Sequence, residues 1–210
     1  MGRQIVMKEI LYDWGGANVW LFHAINGWRG ATLDRVMPLG TRLGDHNLFP
    51  IYLTLIVLAA AFATVRASRI ETPGQQATLW LGALVVLCLA YLADGAFLGW
   101  AKSWFDFPRP LLALPQGTVR VLGAAEYRHS LPSGHASFAM TLAAGLWPLL
   151  GRWQRWAATA FVLWVGLSRV YVGAHFPADV LAGWLSAFSL VWLLRIIARR
   201  CLTELYPSHV

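Results

Sequence analysis

The sequence predicts an all-α fold, a polytopic transmembrane helix bundle with five or six spans, and three observations carry that prediction. Of the 210 residues, 58% are hydrophobic and only 13% are charged, which is too apolar for an ordinary soluble domain of this length. Five segments are long and apolar enough to cross a hydrocarbon layer that takes roughly 20 residues of helix. Twelve tryptophans, and seventeen cations of which only Lys8 and Lys102 are lysines, fit aromatic rings at headgroup level and guanidinium groups at helix ends.

The first candidate element, 14–28, is interrupted by His23, Asn26 and three glycines; a short span and an interfacial helix both fit it. The five strong spans follow at 48–65, 77–100, 136–150, 156–172 and 178–197. The third is short, so it continues through Gly151 or sits beside thinner lipid. Residues 1–47 thus form an N-terminal segment, 48–200 the membrane domain and 201–210 a tail. The N-terminus lacks the charged-then-apolar pattern of a cleaved secretory signal, so insertion is expected to depend on the spans. Cys88 and Cys201 suggest neither a disulfide framework nor a metal knuckle. The net charge of +7 does not indicate nucleic acid, because the cations stand singly between apolar runs.

Three arginine-bearing connections fall on one side of this arrangement: Arg66 with Arg69, Arg152 with Arg155, and Arg195 with Arg199 and Arg200. The positive-inside tendency makes that side, and the tail, cytoplasmic. The 101–132 loop then faces outward although it carries Lys102, Arg109, Arg120 and Arg128, so those cations need another task.

The polar residues of the outer side fall at three predicted helix ends. Lys102, Arg109 and Pro110 follow the second strong span, Pro132 to His135 open the third, and Ser168, Arg169, His175 and Asp179 bridge the fourth and fifth. Helix ends gathered at one membrane surface build a single pocket. Lys102, Arg109 and Arg169 supply three cations, and a guanidinium matches two phosphate oxygens at once. Ser133 stands at an N-cap position with Gly134 beside it, and the free N–H groups of a helix start favour an anion. The implied ligand is a phosphate.

His175 precedes Pro177 by two residues, and proline is favoured in a first helical turn, so Asp179 is placed to reach back to His175. A carboxylate on one ring nitrogen fixes the tautomer and leaves the other nitrogen as a nucleophile. His135 is then positioned to protonate the departing oxygen. Single residues have plainer readings: Arg152, Arg155 and Arg195 as snorkelling anchors, Ser133 as a simple cap, and His23, His46, His129 and His209 as ordinary hydrogen-bonded side chains. Asp94 lies inside a span two steps of four before Lys102; an ion pair supporting the lysine is the expectation, with a proton relay as the alternative.

Taken together the three groups read KSWFDFPRP over 102–110, PSGH over 132–135 and SRVYVGAHFPAD over 168–179. They resemble the signature of the type 2 phosphatidic acid phosphatase (PAP2) family, KxxxxxxRP, PSGH and SRxxxxxHxxxD, at every fixed position. The resemblance covers 101–179 by motif and leaves the residues before Phe49 outside it. It implies a phosphohistidine on His175, proton transfer by His135, orientation by Asp179, phosphate binding by Lys102, Arg109, Ser133, Gly134 and Arg169, and no metal or other cofactor. Three cations and a helix N-terminus suit that chemistry, supplying the charge stabilisation that magnesium gives many phosphotransferases.

Within the family, the compact length and outward pocket resemble the bacterial undecaprenyl diphosphate phosphatases of the inner (cytoplasmic) membrane most. Phosphatidylglycerophosphate, phosphatidic acid and lipid A phosphates are the alternative substrates. The substrate tail would lie in the bilayer and enter sideways between helices. A non-catalytic lipid-binding or transport protein is the expectation from another class.

Overall fold

A computed structural model describes residues 12–67 and 73–205, with the side chains of 67, 73 and 201–205 left aside, so Arg69, His209 and the Cys201 side chain lie outside the described residues. Seven α-helices occur among them: α1 (Ala17–Asn26), α2 (Ala31–Leu43), α3 (Phe49–Ala67), α4 (Pro73–Phe105), α5 (Gly134–Leu146), α6 (Arg152–Tyr171) and α7 (Pro177–Leu205). A single helical turn, Pro110–Ala113, interrupts the long connection between α4 and α5. The all-α membrane bundle expected from composition is the observed fold.

Three of the five expected spans form helices long and apolar enough to cross a membrane, over His46–Arg66, Gly74–Ala113 and Pro177–Arg200. Their outward faces expose Leu55, Leu58 and Phe62 on α3, Leu81 and Leu92 on α4, and Leu185 and Trp192 on α7. An apolar surface of that extent is solvated by lipid tails, not water. The other two segments differ from the expected length or apolarity. α5 has only 13 residues, about 20 Å at ~1.5 Å per residue, because Pro148 follows and the chain turns through a 3-10 segment, Trp147–Leu149. α6 has 20 residues, but Arg152, Arg155 and Arg169 shorten its apolar stretch.

The short helix is the centre of the bundle. α5 packs most extensively on α7 and also on α4 and α6, and nine of its residues, from Ala136 to Gly145, are buried. Small residues let the backbones approach. A Cβ on Gly183 of α7 would lie 2.5 Å from the carbonyl oxygen of Ser133 and 3.1 Å from the Ser137 nitrogen. This is the close approach that small residues give membrane helices.

The N-terminal segment belongs to the same body. α1 is ten residues long, about 15 Å, and buries Phe22 against Phe176, with ring centroids 5.3 Å apart. Asn18 Oδ1 accepts the Ala178 N–H at 3.0 Å, satisfying a donor in the first turn of α7. Asn26 accepts from Arg120 N at 2.9 Å and donates to the Arg120 and Tyr171 carbonyls at 2.8 and 2.9 Å. α2, for which the sequence pattern gave no expectation, packs along α6. Pro38 lies within it, and its mixed composition hides it from a hydropathy reading.

The contact between α5 and α7 generates a prediction. Gly183→Ala forces the two helices apart and costs about 1–3 kcal/mol, the scale of overpacking, so the unfolding temperature in detergent drops. Gly82→Ala, where a Cβ meets nothing within 4 Å, leaves that temperature unchanged or higher. Equal shifts in both variants would remove the packing constraint.

Candidate active site

All three sequence groups meet at one end of the bundle, where α4 and α6 end and α5 and α7 begin. Lys102 occupies the last turn of α4. Its ammonium lies 3.9 Å from the position a Cβ on Gly134 would take, which puts it beside the start of α5. Arg169 occupies the last turn of α6 and Asp179 the first turn of α7. Ser133 is the N-cap of α5; its backbone N–H donates to the Asp179 carbonyl at 2.9 Å.

His175 and Asp179 are both fully buried, and His175 Nδ1 lies 3.3 Å from Asp179 Oδ2. Arg109 Nη1 donates to His175 Nε2 at 3.2 Å. A nitrogen that accepts from a guanidinium carries no proton, so this contact assigns the proton to Nδ1, which donates to Asp179. Burial first, and then the positive charges of Arg109, Arg169 and Lys102, hold the imidazole well below its ordinary range. The ring is therefore neutral at physiological pH, with the Nε2 lone pair turned toward the cations.

The Asp179 carboxylate has three further donors. Ser130 Oγ donates to Oδ2 at 2.5 Å, the Phe176 N–H to Oδ2 at 2.9 Å, and Tyr12 OH to Oδ1 at 2.9 Å. Burial and the nearby Asp179 push the Tyr12 phenol upward, so it keeps its proton and donates. Neither Tyr12 nor Ser130 was expected from sequence. Tyr12 is 167 residues from Asp179 and carries no motif; Ser130 lies just before PSGH and has only its proximity to recommend it.

Arg109 is held at several points: its N–H donates to the Tyr127 carbonyl at 2.8 Å, Nε to Arg128 O at 2.9 Å and Nη1 to Ala174 O at 3.2 Å. It also pairs with Glu126, as does Arg169 at 3.7 Å. Glu126 is the second acid at the site and was likewise not expected. His135, in the first turn of α5, makes no side-chain hydrogen bond or ion pair among the described residues. Ser133 Oγ and Arg169 Nε are buried and without a partner among the described residues. Ser133 sits at the cap position but makes no side-chain cap bond, so the plain capping role does not account for it.

The remaining loop cations are neutralised locally. Arg120 pairs with Asp34 at 2.6 Å and Arg128 with Asp106 at 3.0 Å. The Asp94 expectation is corrected: its carboxylate accepts from Ser137 Oγ at 2.7 Å, and no ion pair with Lys102 is present among the described residues. Eight residues along a helix are about 12 Å, which only two fully extended side chains could span, and Ser137 holds the carboxylate instead. No group of three or more His, Cys, Asp or Glu side chains suited to a metal ion occurs among the described residues. A cavity of about 320 Å³, lined in part by Tyr91, Leu92, Gly95, Leu98 and Phe138, opens beside Lys102.

Known proteins resemble this chain in sequence and in fold. Residues 83–202 match the PAP2 superfamily. An undecaprenyl-diphosphatase of Sulfolobus acidocaldarius is 29% identical over 171 residues, covering 81% of this chain and 73% of that protein. Human glucose-6-phosphatase 3 is 39% identical over 78% of this chain, although the match spans 48% of that protein. A lipid A 1-phosphatase of Rhizobium johnstonii is 39% identical over 72 residues, 34% of this chain and 29% of its own. In fold, LpxE of Aquifex aeolicus matches with a TM-score of 0.70 at 23% identity, over 86% of this chain and 95% of that one. A transmembrane PAP2-type phosphatidylglycerolphosphate phosphatase of Bacillus subtilis matches with 0.65 at 22% identity, over 93% and 92%. With the family matched over more than half of its length and its three motifs brought together at one end of a membrane bundle, the chain belongs to the PAP2 superfamily and is a phosphoric ester hydrolase.

Proposed function

We propose that this enzyme removes a phosphate from a membrane lipid phosphate or diphosphate through a phosphohistidine on His175, with undecaprenyl diphosphate as the leading substrate. The observation that carries the reading is the line Asp179, His175, Arg109. A buried carboxylate holds one ring nitrogen while the other points at a guanidinium.

In the proposed reaction a phosphate rests on Arg109, Arg169, Lys102 and the N-terminus of α5. It gives Ser133 Oγ and Arg169 Nε the partners they lack, and Gly134 leaves room at the helix start. His175 Nε2 attacks phosphorus as the bond to the lipid oxygen breaks, and His135 gives that oxygen its proton. Water, deprotonated by His135, then cleaves the P–N bond and releases phosphate. The cations and helix dipole stabilise charge on the transferring group without a metal ion. Asp179 stays ionised and supports the imidazolium character that develops on His175.

The lipid assignment is supported by the site's place at the ends of lipid-facing helices and by the cavity beside Lys102, whose lining is mostly apolar but also includes His46 and Asp94. The undecaprenyl-diphosphatase relative spans most of the chain, which favours that substrate. Phosphatidylglycerophosphate, phosphatidic acid and lipid A phosphates are the second reading, supported by the lipid A 1-phosphatase relative. The domain reading stands with it: 48–200 as the catalytic membrane domain, 1–47 as an N-terminal segment and 201–210 as a cytoplasmic tail. The arginine-rich ends of α3, α6 and α7 lie opposite the site, and three of the four outward cations, Arg109, Arg120 and Arg128, are paired with acids. We therefore place the site outside a bacterial inner membrane.

Four sets of measurements test this reading. Purified protein in detergent, given a panel of lipid phosphates, releases phosphate fastest from undecaprenyl diphosphate; release persists in EDTA and is inhibited by orthovanadate, whereas loss in EDTA restored by magnesium overturns the metal-free mechanism. In intact spheroplasts, a cysteine replacing Gln116 is labelled by an impermeant reagent and one replacing Gln75 is not; the reverse pattern moves the site to the cytoplasm. His175→Ala forms no phosphoenzyme, while His135→Ala still forms one slowly and loses less activity with an activated aryl phosphate than with a lipid diphosphate. Asp179→Asn keeps the fold and lowers kcat, the change that costs about 10⁴ in a serine protease triad setting its scale. A radiolabelled phosphoenzyme on His175→Ala would reassign the nucleophile.

A further inference from the structure

Among the described residues, Glu126 is the one acid paired with the site's guanidinium groups that the proposed reaction leaves unused. Its two carboxylate oxygens are shared between two cations, Oε2 with Arg109 Nη1 and Oε1 with Arg169 Nη2. Two oxygens on one planar group, each facing a different guanidinium, copy the way a phosphate would lie between the same cations.

The burial of the three side chains is unequal. Arg109 and Arg169 are 9% and 5% exposed at their side chains, whereas Glu126 is 39% exposed. Removing two cations from water without a counter-charge costs several kcal/mol per ion, so the free enzyme needs an anion there. An anion reaching in from solvent can leave again by a side-chain rotation. The backbone beyond Glu126 is fixed, because the Tyr127 and Arg128 carbonyls accept from Arg109. The exchange thus needs no loop movement.

We infer that Glu126 is a displaceable internal stand-in for the substrate phosphate, holding the two arginines in place in the free enzyme and giving way when a phosphate arrives. The inference rests on the phosphate-binding roles proposed for Arg109 and Arg169. It assigns Glu126 a part in tuning affinity: by competing for the cations it weakens the hold on every phosphate, product included, and so favours release. Arg109 Nη1 also contacts His175 Nε2, so a phosphate that takes Glu126's place on this guanidinium lies beside the ring nitrogen.

The competing account is that Glu126 only positions the arginines, and the two accounts differ in sign. We would measure binding of inorganic phosphate from the rise it causes in the unfolding temperature, in the full chain carrying His175→Ala so that turnover plays no part. Without its competitor, Glu126→Gln binds phosphate about tenfold more tightly, the scale of one hydrogen bond to a charged group. Glu126→Ala shifts in the same direction. Glu126→Asp, which keeps the charge on a shorter arm, falls between. In the active enzyme, half-inhibition by phosphate and orthovanadate moves to correspondingly lower concentration in Glu126→Gln. Unchanged or weaker phosphate binding in both Gln and Ala variants, including no response in any of the proteins, overturns the inference. Failure of the phosphatase reading shows separately, as absence of phosphate release from every lipid by the wild-type protein.

Discussion

One backbone hydrogen bond, from the Ser133 N–H to the Asp179 carbonyl, locks the starts of α5 and α7 together, and the placement of the site depends on it. It joins PSGH to the last motif at a point where two helices begin. Gly183, one turn further along α7, has no side chain and so permits the approach. The consequence is geometric: His135 and His175 enter the site from adjoining helix starts, and the N–H groups of α5 and the Asp179 carboxylate converge there. Two helix N-termini side by side make a positive end that attracts an anion and repels a cation. The protein then adds Lys102, Arg109 and Arg169 to the same place, an accumulation that only an anion makes tolerable.

The second constraint is conformational order around Asp179. A carboxylate with four donors has little freedom to rotate, and those donors come from three separate stretches of chain: Tyr12, Ser130, and His175 with the Phe176 backbone. The tautomer of His175 is thus set from both sides, by the carboxylate at Nδ1 and by Arg109 at Nε2. The N-terminal segment, which bears none of the motifs, is one of these supports. Asn18 satisfies a donor at the start of α7, and Asn26 ties the α4–α5 connection to the end of α6.

What could be read from the sequence, and what could not, follows from the range of the interactions. His175 and Asp179 are four apart across a helix start, so local rules place them together. Lys102, Ser133 and Arg169 could be gathered because each closes or opens a hydrophobic segment. Tyr12, Asn26 and Glu126 act through contacts across 167, 94 and, from Glu126 to Arg169, 43 residues, and no periodicity announces such pairs. Helix length was misjudged where composition and packing disagree. The 136–150 stretch is apolar because α5 is enclosed by other helices, not because it faces lipid, and Pro148 ends it early. α2 escaped notice for the opposite reason, its polar face and internal proline masking a helix that tertiary contacts hold.

Five buried polar atoms lack partners among the described residues, and their distribution bears on what the site is for. Leaving such an atom unpaired costs about 1–3 kcal/mol, so each calls for a reason. Thr141, Trp164 and Trp184 lie along the bodies of α5, α6 and α7, away from the gathered cations. Ser133 Oγ and Arg169 Nε differ because they belong to the helix ends where Lys102 and Arg109 also stand. A donor at the mouth of a helix and a donor on a guanidinium are both matched by an oxygen-rich anion, and Glu126 contacts Arg169 through Nη2 while Nε stays without a partner among the described residues. Its carboxylate neutralises charge but leaves these two hydrogen-bonding positions open. A tetrahedral phosphate, with more oxygens than a carboxylate, satisfies more of them, and that surplus is what would let substrate displace the internal anion.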